Sequence, residues 1–171
     1  MTGPLTRLPT HRDLAARLPV AEGWALWVDI DGLIWINDQF GFEHGHHAIA
    51  NIADTLRALL EPTGASLFRV AGEEFLALLD DIDQATAVIR GEAAVRAINS
   101  LEIPYRRSDR PRSKHLQINV AVLRVGSEQL GQSIGEYGLG DPIHEAAANA
   151  IYAEKLRRNV PAGVVVTIAE N

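Results

Sequence analysis

The stretch WALWVDID, at residues 24–31, decides the fold of this chain. Apolar side chains run continuously from Trp24 and give way to acid at Asp29 and Asp31. A strand that is apolar on both faces must be covered on both faces, so this stretch predicts a central strand in a sheet with packing partners on either side. Because Asp29 and Asp31 are two residues apart, their side chains point to the same face at the C-terminal end of that strand.

Helices and strands are predicted to alternate around this central strand. The clearest helix begins at His46, where apolar residues recur at helical spacing until Pro62 and Gly64 stop the pattern. Two short apolar runs are separated only by residues 71–74, which is the length of a hairpin connection. The predicted helices are His11–Leu18, His46–Leu60, Asp83–Ser100 and Asp141–Arg158, and the predicted strands are Trp24–Ile30, Ser66–Val70, Phe75–Leu79, Leu116–Val125 and Gly163–Ala169.

Two polar segments are predicted to be loops. The first, residues 106–114, carries five basic side chains, and a solvated loop is a better explanation for them than a binding patch. The second, Gly126–Gly140, is rich in glycine and shows no clear periodic pattern. We therefore assign no helix or strand to either segment.

The order of these elements predicts the fold class. A strand-helix-strand start, a hairpin and a further crossover indicate an α/β (α+β) architecture, with a mixed central sheet of about five strands flanked by helices. The ferredoxin-like palm of nucleotidyl cyclases and polymerases fits this order, although other α+β domains also fit it. At 171 residues the chain is expected to form a single domain, with an N-terminal helical segment at 1–22 and the palm at 23–171.

Composition and charge argue against several classes of function. The formal net charge is −6 and the pI is near 5.5, which argues against a nucleic-acid binder that neutralises many phosphates. The absence of cysteine excludes disulfides and thiolate metal sites. No apolar stretch approaches the length of a membrane span or a signal peptide, so we expect a cytoplasmic protein without a membrane segment.

A second acidic pair, Glu73 and Glu74, lies on the predicted hairpin turn. If the hairpin pairs with the first strand, these carboxylates converge with Asp29 at one edge of the sheet. Converging acids are costly unless a cation neutralises them, and hard oxygen ligands suit Mg²⁺ carried in by phosphates. The alternative is a pair of ordinary acidic loop ends, which the spacing alone does not exclude.

Two motifs with specific spacing resemble the GGDEF family of diguanylate cyclases. Residues 29–38 read DIDGLIWIND, followed by Phe40 and Gly41, where the family has D-x-D-x-F-K-x-I-N-D-x-x-G-H-x-x-G-D. Residues 69–75 read RVAGEEF, where the family has R-x-G-G-[DE]-E-F. The ends of the chain are similar as well, in PLTRLPTHR at residues 4–12 and AIYAEK at residues 150–155. The resemblance therefore covers nearly the whole chain.

The resemblance implies a metal-dependent active site. Asp29 and Glu73 would be ligands of Mg²⁺ (or Mn²⁺), with the carbonyl of Ile30 assisting. Glu73 and Glu74 would be the catalytic carboxylates, and Glu74 would support the turn or the attacking hydroxyl. Two further acids, Asp31 and Asp38, would be supporting residues.

The same resemblance implies a nucleotide-binding set. Asn37 would hydrogen-bond the purine, although asparagine also caps helices and forms Asx-turns. Gly72 would let the backbone pass close to the nucleotide. Lys155 and Arg158 would contact the triphosphate, but the helix dipole explains cations at the C-terminal end of a helix equally well.

Several positions depart from the family pattern. His46 replaces the acid that would help Asn37 to recognise guanine, and a neutral imidazole accepts one hydrogen bond where a carboxylate accepts two. The family's histidine is Phe42 here and its lysine is Ile34. His46 and Phe42 remain expected nucleotide contacts, but the choice of base is open. Asn119 and Ala121 also stand where the family usually has the serine and glycine of an S-I-G strand.

The residues and the resemblance together leave three functions. The first is a Mg²⁺-dependent, diguanylate cyclase-like nucleotidyltransferase that condenses two GTP (or another purine NTP) into a cyclic dinucleotide, cyclic di-GMP from GTP. Each domain would hold one triphosphate, so activity would need a homodimer. The second is a degenerate domain that binds a nucleotide or a partner for signalling without turnover, and the third is a palm-fold enzyme that hydrolyses or opens a single NTP. Because the chain begins almost at the family's opening motif, an N-terminal sensory domain outside this sequence is also compatible with it.

Overall fold

A computed structural model of the protein describes residues 3–107, 110–135, 142–160 and 162–168. None of the helices in these residues is both long and apolar enough to cross a membrane. The elements are α1 (His11–Arg17), β1 (Gly23–Asp31), α2 (Leu33–Phe40), α3 (Phe42–Leu60), a short 3-10 turn (Glu61–Thr63), β2 (Ser66–Ala71), β3 (Glu74–Leu79), α4 (Gln84–Asn99), β4 (Pro104–Arg107), β5 (Arg110–His115), β6 (Gln117–Val125), α5 (Ser127–Gly135), α6 (Pro142–Arg158) and β7 (Val165–Thr167).

Strand β1 lies in the middle of a five-stranded sheet, as the apolar stretch predicts. The strand order is β2-β3-β1-β6-β7, and β1 runs antiparallel to both of its neighbours. Strand β2 is antiparallel to β3, whereas β7 runs parallel to β6. Of the predicted Gly163–Ala169 strand, Val165–Thr167 is a strand and Ala169 lies outside the described residues. The predicted α+β fold class, with a mixed five-stranded sheet and flanking helices, is therefore confirmed.

Both faces of the sheet are covered, because β1 contributes alternate side chains to two separate clusters. Leu26 and Val28 pack on one face, and Ala25 and Trp27 pack on the other. A strand buried in this way has no solvated face, which explains its uninterrupted apolar sequence. The first cluster includes Ile49, Ile52, Leu56, Ala87, Val95 and Ile98 from α3 and α4, and the second includes Leu14, Leu130, Ile143, Ala147 and Ile151 from α1, α5 and α6.

The structure contains a helix, α2, that the sequence pattern does not predict, and α3 begins at Phe42 rather than at His46. Helix α2 has eight residues and buries only Leu33 and Ile36, which is too short an apolar pattern to stand out in the sequence. Gly41 separates the two helices with φ at 85°, a conformation that favours glycine. The boundary between α2 and α3 is not visible in the sequence, because only Gly41 separates the two helices and no loop lies between them.

The prediction of a loop at residues 106–114 is wrong, because β4 and β5 pair antiparallel as a separate two-stranded sheet. Tyr105 anchors this ribbon, since its side chain is buried and packs against Gly32, where an added Cβ would lie 2.8 Å from the tyrosine ring. A strand normally shows an apolar face, and this arginine-rich segment has none that the sequence reveals. Backbone pairing forms the ribbon without that signal.

The loop predicted at Gly126–Gly140 is also wrong in part, because residues 127–135 form α5. Leu130 is buried, and the hydroxyl of Ser127 accepts a hydrogen bond from the backbone N–H of Val20 at 2.8 Å and donates one to its carbonyl at 2.9 Å. At nine residues this helix is too short for its apolar pattern to stand out in the sequence, and its contact with Val20 lies more than 100 residues away along the chain. The predicted N-cap of α6, Asp141, lies outside the described residues.

Phe75, in β3 next to the acidic turn, is fully buried. Replacing it with alanine should lower the free energy of unfolding by about 3–5 kcal/mol, because the large side chain leaves a cavity. The matched control is Phe42→Ala, since Phe42 is 73% exposed, and it should change the free energy by less than about 0.5 kcal/mol. Chemical denaturation monitored by tryptophan fluorescence measures both values. Equal losses in the two variants would contradict this packing.

Candidate functional site

The acidic residues singled out from the sequence come together at the C-terminal end of β1. Asp29 is directly opposite Glu74 in β3 and opposite Asn119 in β6. The backbone N–H of Ile30 donates a hydrogen bond to the carbonyl of Glu73, with an N···O distance of 3.2 Å. Residues directly opposite each other in an antiparallel pair project to the same face. Asp29 and Glu74 therefore share one face, and the hairpin turn is fastened to β1.

Glu73 is the most strongly perturbed acid of this group. Burial raises the pKa of its carboxyl, and the negative charges of Asp29, Glu74 and Asp31 raise it further, to about 7. A carboxyl whose ionisation is opposed by burial and by three neighbouring acids gains from a cation placed among them. The donor atoms are oxygens, which suit Mg²⁺ or Mn²⁺ better than a softer metal.

These side chains do not surround a cation by themselves. In the described part of the chain, no group of three or more histidine, aspartate or glutamate side chains is arranged to hold a metal ion. The predicted set of Asp29, Glu73 and the Ile30 carbonyl would need further ligands, and the phosphate oxygens of a nucleotide are suitable ones. The residues therefore fit a divalent cation that arrives together with a phosphorylated ligand.

Asp29 is held by its neighbour in β6. Burial raises the pKa of Asp29, while the hydrogen bond from Asn119 and the charge of Lys155 lower it. The Nδ2 of Asn119 donates to the Oδ2 of Asp29 at 3.4 Å. Asn119 is not among the predicted site residues, although a polar residue in the middle of an apolar strand is a signal that points to a buried contact.

Helix α6 supplies partners for two more acids. The Nζ of Lys155 donates to the Oδ1 of Asp31 at 3.0 Å. The Nδ1 of His144 lies 2.7 Å from the Oε1 of Glu74, and its ring meets Trp27 edge-on with centroids 5.8 Å apart. Lys155, a predicted triphosphate contact, thus lies at the acidic end of β1. His144 was not predicted, because nothing in the sequence relates the first turn of α6 to the hairpin.

An open cleft of about 450 Å³ extends from the acidic turn to α2 and α3. It brings most of the predicted nucleotide-binding residues to the same place as the two glutamates. Several predicted site residues are not among its lining residues: Asp29, Ile30, Asp31, Asp38, Lys155 and Arg158. Arg158 donates to Glu154 in its own helix, and Asp38 is exposed. The lining residues are Leu33, Asn37, Phe42, His46, Ile49, Arg69, Gly72, Glu73 and Glu74.

Asn37 reaches the cleft because Gly45 leaves room for its side chain. An added Cβ at position 45 would lie 1.9 Å from the Oδ1 of Asn37, so no larger residue fits there without moving the carboxamide. Phe42 and His46 are both exposed and are one helical turn apart in α3. This part of the cleft offers a carboxamide, an aromatic ring and an imidazole.

Arg69 closes the hairpin turn, a role that the sequence analysis did not assign. Its Nε donates to the carbonyl of Gly72 at 3.1 Å, and its Nη2 donates to the same oxygen. An added Cβ at Gly72 would meet no protein atom within 4 Å, so packing within the chain does not require glycine here. The space beside Gly72 leaves the backbone of the turn accessible to a ligand.

Comparisons with known proteins point to one family. The family described as "Diguanylate cyclase, GGDEF domain" matches residues 4–137. No match was found among curated proteins. One similar solved structure is an N-terminally truncated TpbB (or YfiN) from Pseudomonas aeruginosa comprising only the GGDEF domain, with 20% identity, a TM-score of 0.72 and coverage of 99% of this chain and 95% of that chain. A second is the coiled coil and GGDEF domain of DgcB from Caulobacter crescentus in complex with c-di-GMP, with 19% identity, a TM-score of 0.72 and coverage of 98% of this chain and 85% of that chain. A third is the active GGEEF domain of a diguanylate cyclase from Vibrio cholerae, with 22% identity, a TM-score of 0.60 and coverage of 94% of this chain and 91% of that chain.

The stability of the metal-free protein should depend on pH through Glu73. The native state holds this carboxyl at a pKa of about 7 against an ordinary value of 4.5, so it binds more protons than the unfolded chain between these values. This contribution to stability is fully present below the unfolded pKa and is lost as the pH rises through the native one. In the presence of EDTA, the melting temperature of Glu73→Gln should therefore fall less than that of the wild type between about pH 5 and pH 8.

The control for this measurement is Glu128→Gln, which changes an exposed carboxyl in the first turn of α5. Its melting temperature should follow the wild-type pH dependence. Identical profiles for the wild type and Glu73→Gln would show that the Glu73 carboxyl titrates normally.

Proposed function

This chain belongs to the GGDEF family, and we propose that it is a diguanylate cyclase-like nucleotidyltransferase, which condenses two molecules of GTP into cyclic di-GMP with Mg²⁺ or Mn²⁺. The observation that carries this proposal is the position of Glu73, which the backbone hydrogen bond from Ile30 brings to the end of β1 beside Asp29 and Glu74. Burial and the neighbouring acids raise the pKa of the Glu73 carboxyl to about 7. It lines the same cleft as Asn37 and His46. The reaction has two such steps: in each, a bond forms from the 3′-oxygen of one nucleotide to the α-phosphorus of the other, the bond to pyrophosphate breaks, and the hydroxyl proton passes to solvent. Two pyrophosphates therefore leave for each cyclic di-GMP.

We assign the metal site to Asp29 and Glu73, with the carbonyl of Ile30. A divalent ion held there would neutralise charge on the reacting phosphate. The chain's own contribution is to keep these oxygens in place, and the hydrogen bond from Ile30 N–H to the Glu73 carbonyl supports this by fixing the turn. Glu74 lies beside them and is held by His144, which suits a role in supporting the turn or orienting the attacking hydroxyl.

The base is assigned to the part of the cleft lined by Asn37, Phe42 and His46. The carboxamide of Asn37 offers both a donor and an acceptor to the edge of a purine. The accessible backbone at Gly72 suits close passage of the phosphates. A bound triphosphate would compete with Asp31 for the ammonium of Lys155, and would contact Arg158 only if that side chain leaves Glu154.

Turnover of this kind requires two copies of the chain. Each cleft would present one triphosphate, because the described lining residues include one acidic turn and one group of base-binding candidates. The 3′-hydroxyl of each nucleotide must then face the α-phosphate of the other, which two clefts related by two-fold symmetry achieve. The DgcB structure holds c-di-GMP, in keeping with the product proposed here.

One observation favours a second function, a degenerate domain that binds a nucleotide or a partner and signals without turnover. Ile34 stands where the family has a lysine, and its side chain is 62% exposed. With Lys155 already paired to Asp31, fewer cations are left to stabilise the charge that develops in phosphoryl transfer.

Calorimetry with GTP and Mg²⁺, together with an assay of pyrophosphate release, separates the two functions. Tight GTP binding without pyrophosphate release supports the degenerate domain, and steady pyrophosphate release rules it out. Turnover of a single NTP by a monomer would instead support hydrolysis or ring opening.

Removing either proposed metal ligand should abolish turnover. Wild-type protein incubated with GTP and Mg²⁺ is expected to release pyrophosphate and form a cyclic dinucleotide, detected by chromatography. Asp29→Asn and Glu73→Gln should each lower the rate by about 100-fold or more, the scale seen when one electrostatic stabiliser of a transition state is lost. Glu128→Gln serves as the control and should keep the wild-type rate. Absence of any dinucleotide from all four NTPs would refute the cyclase proposal.

Restoring an acid at position 46 should increase the selectivity for GTP over ATP. In His46→Asp, a carboxylate can accept hydrogen bonds from guanine N1 and N2, and a hydrogen bond to a charged group contributes about 1.5–3 kcal/mol. The ratio of kcat/KM for GTP over ATP should therefore rise by about tenfold or more. The matched control is His47→Asp, because His47 is also exposed on α3 but does not line the cleft. An equal change in both variants would assign the effect to charge alone, and no change in either would remove the base from this part of the cleft.

A further inference from the structure

A fully buried amide links the acidic site to the segment that precedes β7. Asn119 has 0% of its surface exposed. Its Oδ1 accepts hydrogen bonds from the backbone N–H groups of Gly163 at 3.0 Å and Val164 at 3.5 Å. Its Nδ2 donates to the Oδ2 of Asp29 at 3.4 Å. The side chain therefore spans the distance between a proposed metal ligand and the loop at residues 162–164.

The partners of Asn119 decide which way its carboxamide points. Backbone N–H groups can only donate, so the Oδ1 must face Gly163 and Val164, and the NH₂ group must then face Asp29. Gly163 has φ at 76°, a conformation that favours glycine. The same loop is fastened to β6 by a hydrogen bond from Val120 N–H to the Val164 carbonyl at 2.9 Å. The loop thus holds the amide, and the amide holds the carboxylate.

The residue type is important for this double contact. The family usually has serine at this position, and a serine hydroxyl donates one hydrogen bond and reaches less far than a carboxamide. Its single oxygen would have to lie at both ends of the carboxamide at once to reach Asp29 and the loop N–H groups. The asparagine in this chain therefore creates a connection that a serine would leave incomplete.

We propose that Asn119 is a positioning residue for the metal site: its hydrogen bond to Oδ2 holds the Asp29 carboxylate in one orientation and leaves the other oxygen to a divalent cation. The affinity for that cation then depends on the loop at residues 162–164, to which Asn119 is tied. This inference rests on the proposed function, because it concerns Asp29 as a metal ligand. Residues that orient a ligand without touching the metal typically change metal affinity 10–100-fold when they are mutated.

The test is a titration of Mn²⁺ followed by electron paramagnetic resonance, with a GTP analogue whose α,β-bridging oxygen is replaced by methylene. Asn119→Ala should weaken Mn²⁺ binding by about tenfold, and Asn119→Ser, which keeps one donor, should weaken it less. The matched control is Val122→Ala, because Val122 is fully buried in the same strand but packs in the core cluster on the other face of the sheet. It should lower the melting temperature comparably and leave the Mn²⁺ affinity unchanged.

The outcomes separate this inference from the proposed function. If the wild type binds Mn²⁺ with the analogue and the asparagine variants bind it equally well, or if Val122→Ala weakens binding as much, the positioning role is refuted and the cyclase proposal stands. If the wild type itself binds neither Mn²⁺ nor the GTP analogue, the positioning role and the cyclase proposal are both refuted. Should Asn119→Ala not fold, Asn119→Ser decides by the same criterion, since unchanged affinity in that variant also overturns the positioning role.

Discussion

Crowding of negative charge at the end of β1 is the constraint on which the rest of the site depends. Antiparallel pairing sets Asp29 beside Glu74, and the strand period and the turn add Asp31 and Glu73. Carboxylates this close and partly desolvated cannot all ionise without compensating positive charge. Burial and, after it, the neighbouring acids raise the pKa of Glu73, so its ionisation is opposed in the folded protein. A cation placed among these carboxylates would relieve that repulsion.

The contacts that hold these acids come from the C-terminal half of the chain. Asn119 contacts Asp29, Lys155 contacts Asp31 and His144 contacts Glu74. These partners reach the acids because β6 lies directly beside β1, and α6 packs against the same face of the sheet as Trp27. The strand order and helix packing that complete the sheet therefore also bring these partners to the acids.

Several departures from the family pattern lie at exposed positions or on the lining of the cleft. Gly45 still leaves the space that seats Asn37, while His46 and Phe42 occupy the surroundings in which the family has an acid and a histidine. The exposed Ile34 likewise stands in place of the family's lysine without entering the core. A chain can change which ligand it prefers in this way, because exposed cleft residues carry little of the packing energy.

Periodicity and local chemistry were enough to predict the central strand, the hairpin, the long helices and the meeting of acids at one end of the sheet, because each is encoded within a short stretch. Helix α2, the β4–β5 ribbon and α5 were missed, since their apolar signals are too brief and their anchors, such as Tyr105 on Gly32 and Ser127 on Val20, are distant in the sequence. The same limit applies to the site. The sequence by itself determined which acids would gather at the end of β1. Only the tertiary structure decided that Asn119, His144 and Lys155 would hold them. The reason is that contacts between residues about 70 to 125 positions apart depend on strand order and helix packing, which no local sequence pattern records.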